Sequence, residues 1–176
     1  MSSQFRIRHQ ESARCWLIAG ALLMLSTEPV WAATVYATDL SPRALEVAAA
    51  NSRRYGVAER VILFAGDLLD PVPGQVDIDI IVANLPYVAT PDLPSAGPVS
   101  REPRLALDGG NDGLDHVRRL CRQVKERLPS GWLLLEIGQG QAAALVDFLH
   151  SLLPGAEVEV FPDLAGIDRV CSVRLV

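Results

Sequence analysis

Residues 80–87 read Ile-Ile-Val-Ala-Asn-Leu-Pro-Tyr. The chemistry sits at the end of that run. The apolar, β-branched part reads as a strand buried on both faces, the kind found inside a parallel sheet. It stops at Asn84, and Pro86 removes the next ladder N–H. A side-chain amide thus stands at the carboxyl end of a strand, followed by a stiff turn and the Tyr87 ring. Ligands of open α/β sheets bind just outside such strand ends. This set of groups suits methylation of a planar nitrogen, either an amide or an exocyclic base amine. The lone pair of such a nitrogen is delocalised, so the site must fix both N–H donors and aim the atom. The Asn84 oxygen can accept one N–H, a carbonyl at Leu85 or Pro86 the other, and the Tyr87 ring can cover the flat face. Positioning of this kind can supply up to about 7–11 kcal/mol of a barrier. An ordinary Asn-X-Pro turn would look the same locally, so residues elsewhere must decide.

Two aspartates bear on the decision. Residues 34–38 predict a strand ending at Asp39, and residues 61–65 predict one ending at Gly66-Asp67. Between them Ser41 reads as a helix N-cap, Pro42 as the first helical residue and Gly56 as the residue after the last turn of a helix over 42–55. An acidic side chain at such a strand end can accept the ribose hydroxyls of a nucleotide-like cofactor. Asp39, Asp67 and Asn84 would converge on one edge of one sheet and form a cofactor cleft.

The elements that must position these groups follow in order. Residues 76–83 predict the strand leading to Asn84. Residues 88–110 are rich in proline, with Pro91, Pro94, Pro98 and Pro103, and lack a period. Within them Arg101-Glu102-Pro103-Arg104-Leu105-Ala106-Leu107-Asp108-Gly109-Gly110 reads as a lid or substrate-facing wall. Asp112 is the expected cap of a helix to Leu128, with Leu114, Val117, Leu120, Cys121, Val124 and Leu128 on its inner stripe. Arg118, Arg119, Arg122, Lys125 and Arg127 fall mostly off that stripe and read as a solvated face. A strand over 132–137, a helix over 141–153 and a closing antiparallel pair over 156–161 and 169–175 complete the chain.

Composition narrows the function classes. The chain of 176 residues is long enough for one domain with a real core. A net charge of −5 and an isoelectric point near 5.2 give no basic footprint for stable nucleic-acid binding. Cys15, Cys121 and Cys171 are scattered and odd in number, which predicts free thiols in a reducing, cytoplasmic setting and no metal site.

The order of elements resembles the Rossmann-like fold of class I S-adenosylmethionine-dependent methyltransferases, which ends in an antiparallel hairpin. The motifs are more specific. Residues 35–69 (VYATDLSPRALEVAAANSRRYGVAERVILFAGDLL), 79–88 (DIIVANLPYV), 101–115 (REPRLALDGGNDGLD), 133–141 (LLLEIGQGQ) and 163–170 (DLAGIDRV) together resemble the HemK-type family that N5-methylates glutamine in peptide chain release factors. The resemblance implies S-adenosyl-L-methionine as cofactor and a release factor as protein substrate. It implies that Asp39 holds the ribose hydroxyls, that Asp67 and the Leu68 backbone border the adenine, and that Asn84, Leu85, Pro86 and Tyr87 grip the acceptor amide. Here Leu85 stands where the family usually has a proline. Asn-Leu-Pro-Tyr is also similar to the motif of ribosomal RNA adenine dimethylases, so adenine methylation is the alternative chemistry.

The upstream residues depart from the family pattern. The family carries a strand and a glycine-rich loop ahead of the strand matching 34–38, and glycine there lets backbone and cofactor approach closely. Residues 13–33 contain only Gly20. Residues 1–33 are therefore expected to be an atypical segment and 34–176 a partial catalytic domain, with the first strand of the sheet atypical or missing. That pattern implies a truncated or frame-shifted member, and a second reading in which the chain is a non-catalytic remnant. Residues 5–8 and 11–25 are the expected replacement strand and helix. The basic start, the apolar run over 15–25 and Val30-Trp31-Ala32 also have the outline of a secretory signal.

Overall fold

The computed structural model describes residues 33–97 and 99–176. The replacement strand and helix expected within residues 1–32 lie outside the described residues. β1 (Val35–Asp39) leads through α1 (Pro42–Arg54) into β2 (Val61–Ala65), and the two strands pair in parallel from Val35↔Val61 to Asp39↔Ala65. The caps are where the sequence puts them. The Ser41 hydroxyl accepts the Ala44 N–H at 3.3 Å, Pro42 opens the helix, and Gly56 follows it at φ +68°.

β3 (Ile80–Ala83) pairs in parallel with β4 (Gly131–Glu136). α2 (Asp115–Arg127) connects them, and α3 (Ala142–Leu152) leads from β4 to β5 (Glu157–Pro162). β6 (Asp168–Leu175) inserts antiparallel between β4 and β5, so the sheet order is β3-β4-β6-β5. The expected closing hairpin is present. Its 163–167 turn is tied by the Asp163 carboxylate, which accepts the N–H groups of Ala165 and Ile167.

Among the described residues the sheet is in two pieces, β1-β2 and β3-β4-β6-β5. The sequence predicts Asp39, Asp67 and Asn84 on one edge of one sheet; among the described residues Asp39 and Asp67 follow strands of the smaller piece and Asn84 a strand of the larger. One strand placed between β1 and β3 would join the pieces, and that is the place of the first strand that the resemblance marks as atypical or missing.

The core belongs to the larger sheet. Leu133, Leu135 and Ile137 on and after β4, Cys171 and Val173 on β6, and Leu145 and Leu149 on α3 are at most 1% exposed. All six stripe positions of the α2 region, Leu114, Val117, Leu120, Cys121, Val124 and Leu128, are buried as predicted. In contrast, Ser52 is the one buried residue among those of β1, α1 and β2.

Three local expectations change. The strand over 76–83 shortens to Ile80–Ala83. Its partner β4 begins only at Gly131, beside Asp79, whose carbonyl accepts the Trp132 N–H at 3.0 Å. The helix expected from Asp112 starts at Asp115, because Gly113 takes φ +78°; the Asp112 carboxylate instead accepts the Leu114 N–H at 3.2 Å. The arginines of α2 are not simply solvated. Arg118 pairs with Asp112, Arg119 with Asp67, and Arg127 donates to the carbonyls of Val72 and Pro73.

Candidate active site

Asn84 follows β3 directly and is half-buried. Among the described residues no hydrogen bond ends on its amide, nor on the carbonyls of Leu85 and Pro86. The Tyr87 carbonyl is occupied, accepting from Gln141 Nε2 at 2.8 Å, and the Val88 carbonyl accepts the Gly109 N–H at 2.8 Å. The acceptor loop thus presents open hydrogen-bonding groups at 84–86 and is anchored at 87–88.

Glycines explain how the anchor fits. A Cβ on Gly109 would lie 2.7 Å from the Pro86 carbonyl oxygen, and one on Gly113 only 2.2 Å from that of Tyr87. Gly138, just past β4, packs beneath the Tyr87 ring, where an added Cβ would come within 3.1 Å of Cδ2. Backbones meet at distances that side chains forbid.

The proline-rich 88–110 segment is not a free lid at its base. Val88 and Asp108 form a parallel bridge, and Thr90 N–H donates to the Gly110 carbonyl at 2.8 Å. Three 3₁₀ turns, Thr90–Asp92, Val99–Arg101 and Arg104–Ala106, give it local order. Asp108 is the hub. Its Oδ1 accepts from the Thr90 hydroxyl at 2.6 Å and the Gly110 N–H at 3.1 Å, and its Oδ2 meets Arg104 at 3.0 Å. The Thr90 hydroxyl, then the Gly110 N–H and Arg104, hold this carboxyl below the usual carboxylate range.

The two acidic candidates differ. Asp39 ends β1 half-buried, and its Oδ1 accepts the Ser41 N–H at 2.7 Å, which fixes the carboxylate at the strand end. Its Oδ2 has no hydrogen-bond partner among the described residues. Asp67 is engaged by the Arg119 guanidinium of α2. Leu68 beside it has φ +48°, a left-handed conformation that is strained for a residue with a branched side chain. Its side chain packs against the core, which offsets that strain.

The sequence reading did not single out Gln141. It sits at the N-cap position of α3 yet makes no side-chain cap bond. Gln141 Oε1 accepts the Gly138 N–H at 2.8 Å, while Nε2 donates to Tyr87 and, at 3.2 Å, to the Asp112 carbonyl. Its place after Gly138-Gln139-Gly140 was the one visible hint. Among the described residues no group of acidic, histidine or cysteine side chains could hold a metal ion. No helix among them is long and apolar enough to cross a membrane.

No protein-family model matches the chain. Solved structures share the fold. The ribosomal protein L11 methylase of Lactobacillus delbrueckii subsp. bulgaricus aligns with a TM-score of 0.56 at 18% identity, covering 81% of this chain and 58% of that one. A Streptococcus mutans protein in complex with SAH aligns at 0.54 and 18%, covering 81% and 76%. The fold is therefore that of the Rossmann-like class I methyltransferases. At the level of sequence the relatives are more particular. The release factor glutamine methyltransferase of Moorella thermoacetica is 45% identical over 159 residues, which is 89% of this chain and 56% of that protein. The ribosomal protein uL3 glutamine methyltransferase of Bradyrhizobium diazoefficiens is 46% identical over 138 residues, 77% of this chain and 42% of that one. The chain is thus a relative of the release factor glutamine methyltransferases, and its resemblance to that family is borne out. It spans about half the length of the curated relatives it matches. A match over 89% of the chain is longer than residues 34–176 alone, so it reaches upstream of Thr34.

Proposed function

We propose that this chain is the catalytic part of a methyltransferase that N5-methylates a glutamine side chain in a peptide chain release factor, with S-adenosyl-L-methionine as donor. The observation that carries the reading is the half-buried Asn84 amide at the end of β3, open beside an anchored carbonyl-rich turn. The release factor and uL3 relatives are both named as glutamine methyltransferases.

The residues present fit the cofactor on its ribose side. Asp39 is pinned through Oδ1 and keeps Oδ2 for a diol, while Asp67 and the Leu68 backbone would border the base. When bound, the cofactor supplies an electrophilic methyl group. Everything else falls to this chain. Asn84 Oδ1 accepts one N–H of the substrate amide, and a backbone carbonyl at Leu85 or Pro86 accepts the other. With both N–H groups held, the nitrogen can turn only its face toward the methyl group. Tyr87 and Pro86 wall that plane.

Calorimetric titration with S-adenosyl-L-methionine, with Asp39→Ala as control, tests the cofactor half. Micromolar binding abolished in the control is the expected result. Methyl transfer is then measured on a release factor and on uL3 side by side. The 46% identity to the uL3 enzyme makes uL3 the second candidate substrate. Absence of binding by the folded chain would favour the non-catalytic reading, and transfer to an RNA adenine would favour the other chemistry.

A further inference from the structure

We propose that Gln141 is a positioning residue for the acceptor loop, acting through the polarity of its side-chain amide; this rests on the glutamine methyl transfer proposed above. Gln141 joins three separate segments. Its oxygen holds the end of β4 at the Gly138 N–H, and its nitrogen holds the Tyr87 carbonyl and the Asp112 carbonyl ahead of α2. Both N–H donors and the oxygen are thus committed. Turning the amide over would put an oxygen against two carbonyl oxygens and an NH₂ against an N–H, so its orientation is set by the network.

Capping α3 does not explain this side chain, which makes no hydrogen bond to that helix. The space around it is reserved. A Cβ on Gly113 would lie 2.3 Å from Nε2, and one on Gly138 3.0 Å from Oε1. Fixing the Tyr87 carbonyl fixes the Tyr87–Val88 peptide, one residue beyond Pro86, whose own φ is locked by its ring. The direction of the Leu85 carbonyl and of Asn84 is then set from behind. Gln141 need not touch the substrate to do this. The close fit also accounts for glycine at 113 and 138.

Gln141→Glu is the sharp test, because it keeps the shape and removes both donors at neutral pH. Gln141→Leu removes all polarity and guards against an effect of charge alone. Amide hydrogen exchange on the full chain is the readout that needs no activity. The peptide covering residues 84–90 should exchange about tenfold faster in both variants, as expected for loss of a part-buried, shared hydrogen bond. The β5–β6 hairpin should keep its protection. In Gln141→Glu, but not Gln141→Leu, protection relative to wild type should return as the pH falls and the carboxyl regains a donor. Methyl transfer should lose about 10- to 100-fold in kcat through misplacement of the acceptor, with cofactor affinity within twofold of wild type. Unchanged exchange at 84–90 would overturn the proposal. Exchange raised throughout the chain, or cofactor affinity falling in step with kcat, would overturn it too, since either means a general structural role. A wild-type chain that methylates no glutamine would sink the proposed function, while the exchange pattern would still decide whether Gln141 sets the loop.

Discussion

The β1-α1-β2 unit and the β3-β4-β6-β5 sheet are written in similar residues, yet they are packed very differently. Val35–Asp39 and Val61–Ala65 are as apolar as many central strands, but no residue in either is buried. Tyr36 and Phe64 stack on each other with centroids 6.3 Å apart, and Ile62 is 39% exposed. In β4, by contrast, Leu133 and Leu135 are sealed in the core with residues of both later helices, and the strand has a neighbour on each edge. A parallel strand becomes core only when both edges and both faces are covered. Among the described residues β1 has one strand partner and one helix. The 66–79 segment couples this unit to the rest, through Leu68, Leu69 and Ile78 on the core and through bonds to α2. The proposed cofactor carboxylate, Asp39, thus stands on the loosely covered unit. The acceptor groups stand on the sealed one.

The largest effect should come from the core. Leu135→Ala should cost about 3–4 kcal/mol and Leu63→Ala about 1, because only the first leaves a closed cavity. Urea unfolding measures both, and equal losses would break the comparison. Next is Gly113→Ala. Its φ of +78° and the Tyr87 carbonyl 2.2 Å from the new Cβ predict a loss of about 2–3 kcal/mol, with chemical-shift changes centred on residues 84–90.

Thiol labelling sharpens the contrast kinetically. Burial pushes the Cys121 thiol up to about 12 and the Cys171 thiol up to about 11. Alkylation at pH 8 should therefore report opening of the larger sheet's core. Labelling of Cys121 as fast as amide exchange in β1 would erase the distinction.

Acid should act on the larger unit. Hydrogen bonds from Arg118 hold Asp112 below the carboxylate range, the Thr90 hydroxyl does so for Asp108, and the Ile167 N–H for Asp163. A folded-state pKa below the unfolded one means stability that is full above about pH 4 and lost as pH falls through the depressed values. Melting temperature should be flat above pH 5 and fall below pH 4, with Asp112→Asn reducing the slope. The smallest effect is expected for Arg174→Ala. Its pair with Glu157 is exposed on both sides, at 3.3 Å, and should change stability by no more than about 0.5 kcal/mol.

Much of this was legible in the sequence because it is local. Ser41-Pro42 and Gly56 mark α1, the six-residue stripe marks the buried side of α2, and Asn84 falls at a strand end as read. What escaped depends on groups distant in sequence. Gln141 meets Tyr87 across 54 positions, and nothing near residue 141 announces that bond. Asp112 looked like a cap because the left-handed turn at Gly113 cannot be seen from residue types alone. The Asp67–Arg119 and Arg127 contacts likewise join residues more than 50 apart, so those arginines read as solvated. Among the described residues the gap between the two sheet pieces goes with the glycine-poor upstream segment, but sequence could not show that β1 and β2 would lack burial.

The position of β6 has a consequence for synthesis. Of the six strands among the described residues it is the last to be made and yet an inner one, with β4 on one side and β5 on the other. Cys171 and Val173 fill the core from that strand. A nascent chain that has exposed everything up to α3 still lacks the strand that closes its sheet. β4 must wait with one edge open until Leu175 clears the ribosome, and a pause before that point would leave an adhesive strand edge exposed to other nascent chains.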